Sequence, residues 1–250
     1  MPSPAGTCQP RTAFASARSA LSLRDGARDM GPMRVDLIIF DCDGVIADSE
    51  VLSAEVLIDQ LAGLGIAVTA EDVRRDFLGR SFPTVAASIR TRFARDLPAD
   101  FEATYRSRLL ARFEAGLTAT PGFPAMLAAL DRPVCVATSS SPPRVARTLS
   151  LLGLTDRFGP HVFTASQVAR GKPAPDLFLF AADRMGTPPA HALVIEDSAA
   201  GLEAARAAAM RVVHYTGGSH LTGLPGDPHA PGLACWSAFP ALLARLEAGR

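Results

Sequence analysis

Short apolar runs alternate with stretches of helical periodicity along most of this chain. The first run, residues 35–40, reads Val-Asp-Leu-Ile-Ile-Phe, and later apolar runs cover 133–137, 161–164, 192–195 and 211–215. Helical spacing follows these later runs at 142–152, 176–185, 199–209 and 237–248. Continuous apolar runs are typical of parallel strands that are buried on both faces. Their alternation with helices predicts an α/β fold, a doubly wound, Rossmann-like parallel sheet.

One block interrupts this alternation after the first strand. Residues 51–64 have helical spacing that ends near Gly63 and Gly65. From residue 69 to about 116 there is no convincing strand, and the pattern predicts three or four helices, including 84–96 and 100–115. We therefore expect residues 51–118 to form a helical cap domain, inserted into a core domain made of residues 33–50 and 119–250.

Residues 1–32 differ from the rest in composition. They are rich in Ala, Ser, Arg, Pro and Gly, and no acidic residue precedes Asp25. The segment lacks the apolar centre of a secretory signal. It is predicted to be a disordered extension upstream of Met33. A transit peptide is the alternative, because such peptides are also rich in Arg and Ser and poor in acids.

The overall composition argues against several classes of partner. Basic and acidic residues both number 25, so the net charge gives no argument for binding nucleic acid or an anionic membrane. No apolar stretch reaches the ~18 residues that span a bilayer. The four cysteines are scattered and form no CxxC pair, which argues against a zinc site or a disulfide framework. We expect a cytoplasmic protein whose partner is neither nucleic acid nor membrane.

Polar side chains follow three of the predicted strands, and a fourth polar segment lies in a loop. Because the carboxyl ends of parallel strands meet at one edge of the sheet, where open α/β sheets bind ligands, these residues should share one site. Gly44 would relax the backbone after the first strand, so that two acids can converge there. The residues concerned are Asp41 and Asp43, Thr138 and Ser139, Glu196 and Asp197, and Lys172 in the loop.

Lys172 is the only lysine in the chain, since the other 24 of the 25 basic residues are arginine. An ammonium is a compact point charge, whereas a guanidinium is a broad planar fork. Lysine at this single position therefore indicates that a guanidinium does not fit there.

Structural interpretations exist for the same segments. Asp41 and Asp43 could be turn residues, and 138–141 and 196–198 could cap the helices that follow them. Asp176 could cap its helix or support Lys172. The five histidines show no ligand spacing and are expected to be structural or exposed; they are His161, His191, His214, His220 and His229.

The four polar segments, in this order and with a cap after the first, resemble the haloacid dehalogenase superfamily of phosphohydrolases. The resemblance spans about residues 34–250 and rests on Asp41-Cys42-Asp43-Gly44-Val45, the strand end at Thr138, Lys172 in Gly-Lys-Pro-Ala-Pro-Asp, and Glu196-Asp197. It implies a phosphatase that works through an aspartyl-phosphate.

The resemblance also implies a role for each residue. Asp41 would be the nucleophile and Asp43 the general acid and base. Mg²⁺ would bind the Asp41 carboxylate, the Asp43 carbonyl and Asp197, with Glu196 bound directly or through water. Phosphate oxygens would be held by the remaining residues, Thr138, Ser139 and Lys172.

The cap would determine which substrate reaches these residues. Arg80, in a polar turn of the cap, could contact a small phosphorylated sugar, sugar acid or polyol. The stretch around Asp48-Ser49-Glu50 resembles sugar-acid phosphate phosphatases such as 6-phosphogluconate phosphatase. The alternative is a phosphosugar mutase of the β-phosphoglucomutase type. That branch has histidine at the position of Ser53 and Lys-Asn at 141–142, where this chain has Ser-Pro, although Arg144 could compensate.

Overall fold

The computed structural model describes residues 34–249, and its centre is a six-stranded parallel sheet with strand order β3-β2-β1-β4-β5-β6. The first strand of the chain lies between β2 and β4, and the sheet extends from it on both sides. This confirms the α/β, doubly wound, Rossmann-like fold class. The strands are β1 Leu37–Phe40, β2 Val134–Thr138, β3 Val162–Thr164, β4 Ala192–Glu196, β5 Arg211–Tyr215 and β6 Gly232–Leu233.

Ten α-helices flank or cap this sheet within residues 34–249. Where a helix was expected, its observed ends agree within about three residues. The short elements β6, α5 and α7 were not expected, because two to seven residues are too few to show a period. The helices are α1 Glu50–Ala62, α2 Ala70–Asp76, α3 Phe82–Phe93, α4 Phe101–Gly116, α5 Phe123–Ala129, α6 Pro142–Leu151, α7 Thr155–Phe158, α8 Asp176–Arg184, α9 Ala199–Ala207 and α10 Phe239–Glu247.

Strand β1 divides its side chains between two apolar cores. Ile38 and Phe40 point into the core under α5, α6 and α10. Leu37 and Ile39 point into the core under α8 and α9. Successive strand residues face opposite sides of a sheet, so a strand covered on both sides must be apolar throughout. This explains why the run 37–40 shows no polar alternation.

Helices α1 to α4 build a third apolar core of their own. Its most buried members include Leu61, Ile89, Leu109 and Phe113. A separate core supports the prediction that residues 51–118 form a cap domain, whose boundaries remain a prediction.

The two chain segments that connect this helical block to the sheet run side by side. Ala47 pairs with Ala119 in an antiparallel bridge, and the Asp48 amide donates to the Thr118 carbonyl over 2.9 Å. Thr120 is fully buried and accepts a 2.8 Å hydrogen bond from the indole of Trp236. The connections therefore form one short ribbon, which is fastened to the core through Trp236.

Within residues 34–249 no helix is long and apolar enough to cross a membrane. The expectation for residues 1–32 concerns a segment that lies outside the described residues.

Candidate active site

The carboxyl end of β1 delivers Asp41 and Asp43 to the edge of the sheet. The Asp41 amide still pairs with the carbonyl of Ile195, so the sheet fixes its backbone. The chain then turns at Gly44, which has a φ of +83°. A Cβ at this position would lie 2.1 Å from Oδ2 of Asp197 and 2.8 Å from the ring of His220. Glycine is therefore required both by the turn and by the close approach of the acidic residues.

Lys172 is the counter-charge at the bottom of the site. Its Nζ donates to Asp41 Oδ1 over 2.5 Å and to Glu196 Oε1 over 2.8 Å, and its side chain has no solvent exposure. The ammonium also lies 4.7 Å from the centre of the Phe178 ring. Burial acts to lower the pKa of Lys172, but Asp41 and Glu196 outweigh burial and raise it. The ammonium is therefore held in its charged form, in a space that is closed to solvent.

Asp43 is held by three donors. Its Oδ1 accepts from Ser49 Oγ at 2.6 Å and from Arg144 at 2.7 Å, and its Oδ2 accepts from Ser140 Oγ at 2.5 Å. Burial acts to raise the pKa of Asp43, but Arg144 and the two hydroxyls reverse this and lower it. Asp43 is therefore ionised in this arrangement.

Asp41 and Asp197 show the opposite behaviour. Burial raises the pKa of Asp41 to about 7, and Glu196 and Asp43 act in the same direction while Lys172 opposes them. Burial, Glu196 and Asp41 raise the pKa of Asp197 well above its usual value. Two neighbouring aspartates, Asp41 and Asp43, thus have pKa values that are pushed apart, as is common where two carboxyls have different tasks.

Asp41, Glu196 and Asp197 fit a divalent metal ion. Their carboxylates are buried, and one oxygen from each lies within 4.8 Å of the others. Oδ2 of Asp197 is buried without a hydrogen-bond partner among the described residues. Both oxygens of Glu196 are engaged, one by Lys172 and the other by the Ser198 amide at 2.6 Å. Carboxylate oxygens suit a hard cation, and Glu196 is better placed to contact it through water than directly.

His220 lies beside this acidic cluster, and its burial is compatible with the structural role expected for the histidines. Its Nε2 lies 2.8 Å from Asp197 Oδ2, and its side chain is only 6 % exposed. Neither ring nitrogen has a hydrogen-bond partner among the described residues. Burial lowers the pKa of His220. Its packing against Gly44 and Gly218 depends on a contact across more than 170 residues, which the local sequence does not reveal.

Thr138 and Ser139 continue β2 into the turn before α6. Thr138 is buried, and its hydroxyl accepts from the Ser140 amide at 3.1 Å. Ser139 Oγ donates to the carbonyl of Gly79 at 2.8 Å, which joins the core turn to the cap turn. Ser141 stands at the N-cap position, directly before α6, but its hydroxyl makes no capping hydrogen bond.

A cavity of about 540 Å³ lies between the sheet edge and helices α1, α3 and α4. Arg80 lines it and is exposed, as a residue that could reach a substrate would be. Glu50 also lines it and was not expected. Burial and the nearby Asp43 raise the pKa of Glu50 to about 8. The cap side of the cavity is mainly apolar, with Leu57, Phe77, Phe82, Tyr105 and Leu109.

Gly201, in the first turn of α9, gives a test of the acidic cluster. A Cβ there would lie 1.8 Å from Glu196 Oε1. Alanine is favoured over glycine inside a helix by about 1 kcal/mol, so helix propensity alone predicts that Gly201→Ala stabilises the protein. We expect, however, that the added Cβ displaces Glu196 and so harms the site. The affinity of Gly201→Ala for Mn²⁺ should be lower by roughly 10-fold or more, as measured by calorimetric titration.

Gly63→Ala is the matched control, since its added Cβ would meet nothing closer than 3.4 Å. This variant should bind Mn²⁺ as the unaltered protein does. Unchanged affinity in Gly201→Ala would show that Glu196 has no part in metal binding.

Comparison with known proteins identifies the family of this chain. The family model for haloacid dehalogenase-like hydrolases matches residues 35–209. Hexitol phosphatase A of Escherichia coli is 32% identical over 187 residues, which are 72% of this chain and 83% of that protein. The 6-phosphogluconate phosphatase of the same species is 26% identical over 188 residues, 75% of this chain and 85% of that protein.

A solved structure is similar to this chain in both fold and sequence. A haloacid dehalogenase-like protein of Agrobacterium tumefaciens superposes with a TM-score of 0.70 at 32% identity, covering 85% of this chain and 99% of that one. Together with the matched family model, this shows that the chain belongs to the haloacid dehalogenase-like hydrolases.

Proposed function

We propose that this protein is a metal-dependent phosphomonoesterase that hydrolyses a small phosphorylated sugar, sugar acid or polyol. One observation carries the proposal. Asp41 stands at the end of the central strand, where it contacts the Lys172 ammonium and forms, with Glu196 and Asp197, an acidic cluster that could hold a cation. A carboxylate beside two positive charges is oriented and shielded to attack an anionic phosphate.

In the first step, an Asp41 oxygen attacks phosphorus and the bond from phosphorus to the leaving oxygen breaks. The leaving oxygen keeps the electron pair and takes a proton from Asp43. In the second step, water attacks the phosphorus of the aspartyl-phosphate, its proton passes to Asp43, and the bond to Asp41 breaks. The lowered pKa of Asp43, caused by Arg144 and the Ser140 and Ser49 hydroxyls, favours the carboxylate form that the second step requires, whereas the first step requires its acid form.

Mg²⁺ is the proposed ion. Asp41, Asp197 and the backbone carbonyl of Asp43 would hold it, with Glu196 acting through water. The bound ion supplies positive charge that lets a carboxylate approach a phosphate. Lys172, Thr138 and the Ser139 amide would bind the remaining phosphate oxygens.

The substrate class rests on the relatives and on the cavity. Relatives named as hexitol phosphatase and 6-phosphogluconate phosphatase act on phosphorylated polyols and sugar acids by their names. Arg80 on the cap side of the cavity is proposed to contact the hydroxylated or anionic part of such a molecule. A cytoplasmic location, predicted from the scattered cysteines, is part of the same proposal.

A phosphosugar mutase remains the second candidate because of the shared cap position. Such an enzyme must bind two phosphates, and here Arg144 contacts Ser53 and Asp43 instead. Mutase activity would convert β-glucose 1-phosphate to glucose 6-phosphate without releasing phosphate. The phosphatase proposal predicts that phosphate is released and that no glucose 6-phosphate forms from β-glucose 1-phosphate.

The first test is phosphate release from p-nitrophenyl phosphate and a panel of phosphorylated sugars, sugar acids and polyols. Asp41→Asn should lower release on the order of 10⁴-fold or more, because the nucleophile is lost. Treatment with EDTA should abolish release, and added Mg²⁺ should restore it. Phosphate release that survives either treatment would exclude this mechanism.

Asp36→Asn is the matched control for Asp41→Asn. Asp36 lies just before β1, away from the site, and pairs with Arg34 on the surface. Its substitution should change activity by no more than about twofold, as is usual for exposed ion pairs.

The second test concerns the single lysine. Lys172→Arg keeps the charge but puts a wider group into a space with no exposure. We expect kcat to fall on the order of 10²–10³-fold, because the cation no longer faces both Asp41 and the phosphate. Arg112→Lys, on an exposed pair with Glu55 outside the cavity, is the control. If Lys172→Arg were as active as this control, shape at position 172 would be irrelevant.

A further inference from the structure

Arg144 contacts Asp43 directly, yet the proposed mechanism does not use it. It lies in the first turn of α6, on the core side, and its side chain is 18% exposed. The guanidinium donates to Asp43 Oδ1 over 2.7 Å. It is therefore bound to the carboxyl that moves protons, whereas Lys172 is bound to the carboxyl that attacks.

The same guanidinium also contacts the cap. It donates to Ser53 Oγ on α1 over 3.0 Å, and its central carbon lies 5.4 Å from the ring of Phe113 on α4. Ser53 Oγ in turn donates to the carbonyl of Ser49, whose own hydroxyl donates to Asp43. Arg144 thus closes a loop of contacts that joins Asp43 to two helices of the cap.

Arg147, one turn further along α6, provides a natural comparison. It too crosses from the core to α4, where it pairs with Glu114 over 2.8 Å. That pair is exposed on both sides, with side-chain exposures of 43% and 54%, and touches no residue of the site. Two arginines on one helix therefore bridge to the same cap helix, but only Arg144 ends on the acid–base residue.

We propose that Arg144 is a positioning residue, which holds the Asp43 carboxylate where it can take the proton of the attacking water and makes that position depend on the cap. The inference rests on the proposed function, since it assigns Arg144 a part in the second step of that mechanism. Displacement of a catalytic base by about 1 Å can lower the rate on the order of 10²-fold. Arg144 touches Asp43 and the cap, and it acts on the reaction through Asp43.

The test uses p-nitrophenyl phosphate, whose leaving group departs without a proton. Arg144→Met should therefore leave the first step nearly intact and slow the second. Rapid mixing should show a burst of about one nitrophenolate per protein molecule, followed by steady turnover reduced on the order of 10²-fold with little change in KM. Arg144→Lys, which keeps the charge, should recover part of the steady rate.

Arg147→Met is the matched control and should keep its steady rate within about twofold, as is typical of exposed pairs. Urea unfolding of each variant checks that the fold is intact. If Arg144→Met slowed the burst as much as the steady rate, or raised KM alone, Arg144 would instead contact the substrate, and the proposal would be wrong.

A double-mutant cycle asks whether Arg144 acts through Asp43. In an Asp43→Asn background, measured at high protein concentration, Arg144→Met should cause no further loss beyond about twofold. Ser53→Ala should lower the steady rate of the unaltered protein several-fold and have no added effect in Arg144→Met. Full additivity in either cycle would overturn the inference. Absence of any phosphate release by the unaltered protein would instead refute the proposed function.

Discussion

The arrangement of this protein depends on an excess of buried negative charge. Asp41, Asp43, Glu196 and Asp197 are all nearly inaccessible to water, and Lys172 and Arg144 are the cations in direct contact with them. When all four carboxyls are ionised, the two cations leave two negative charges, which is the charge that one divalent cation neutralises. Buried charge without compensation is costly, and the raised pKa values of Asp41 and Asp197 express that cost. The cluster is stable because the surrounding fold holds its members together.

The topology supplies that support. The central strand ends in the nucleophile, the strand on one side ends in Thr138, and the strand on the other ends in Glu196. Each strand is pinned by its neighbours, so each polar group has a fixed origin. Glycines then allow closer approach than any other residue would. A Cβ added to Gly44 or to Gly201 would lie within 2.1 Å of a carboxylate oxygen of the cluster. The concentration of carboxylates is therefore a property of the backbone as much as of the side chains.

The sequence was sufficient for five of the six strands, for most helix ends and for the residues at the strand ends, because each of these is a local pattern. The apolar run before Asp41 and the single lysine at 172 need no knowledge of distant contacts. Arg144, Glu50 and His220 could not be placed in this way. Arg144 meets an aspartate 101 positions away, and His220 is enclosed by glycines that look unremarkable in a loop. Short elements such as α7 and β6 were also missed, since they owe their shape to packing on the completed sheet.

The paired connections between the sheet and the cap have a consequence for how this architecture can vary. Ala47 and Ala119 are neighbours across one antiparallel bridge, so the chain leaves the core and returns to it at nearly the same point. The residues between them therefore form one long insertion whose two ends lie side by side. Such an insertion can lengthen, shorten or be exchanged without moving a strand, since extending a loop adds little entropy cost. The reaction at Asp41, set by the core, and the selection of the substrate, set by the cap, can therefore change independently. Arg144 is an exception, because it contacts both Asp43 in the core and Ser53 in the cap.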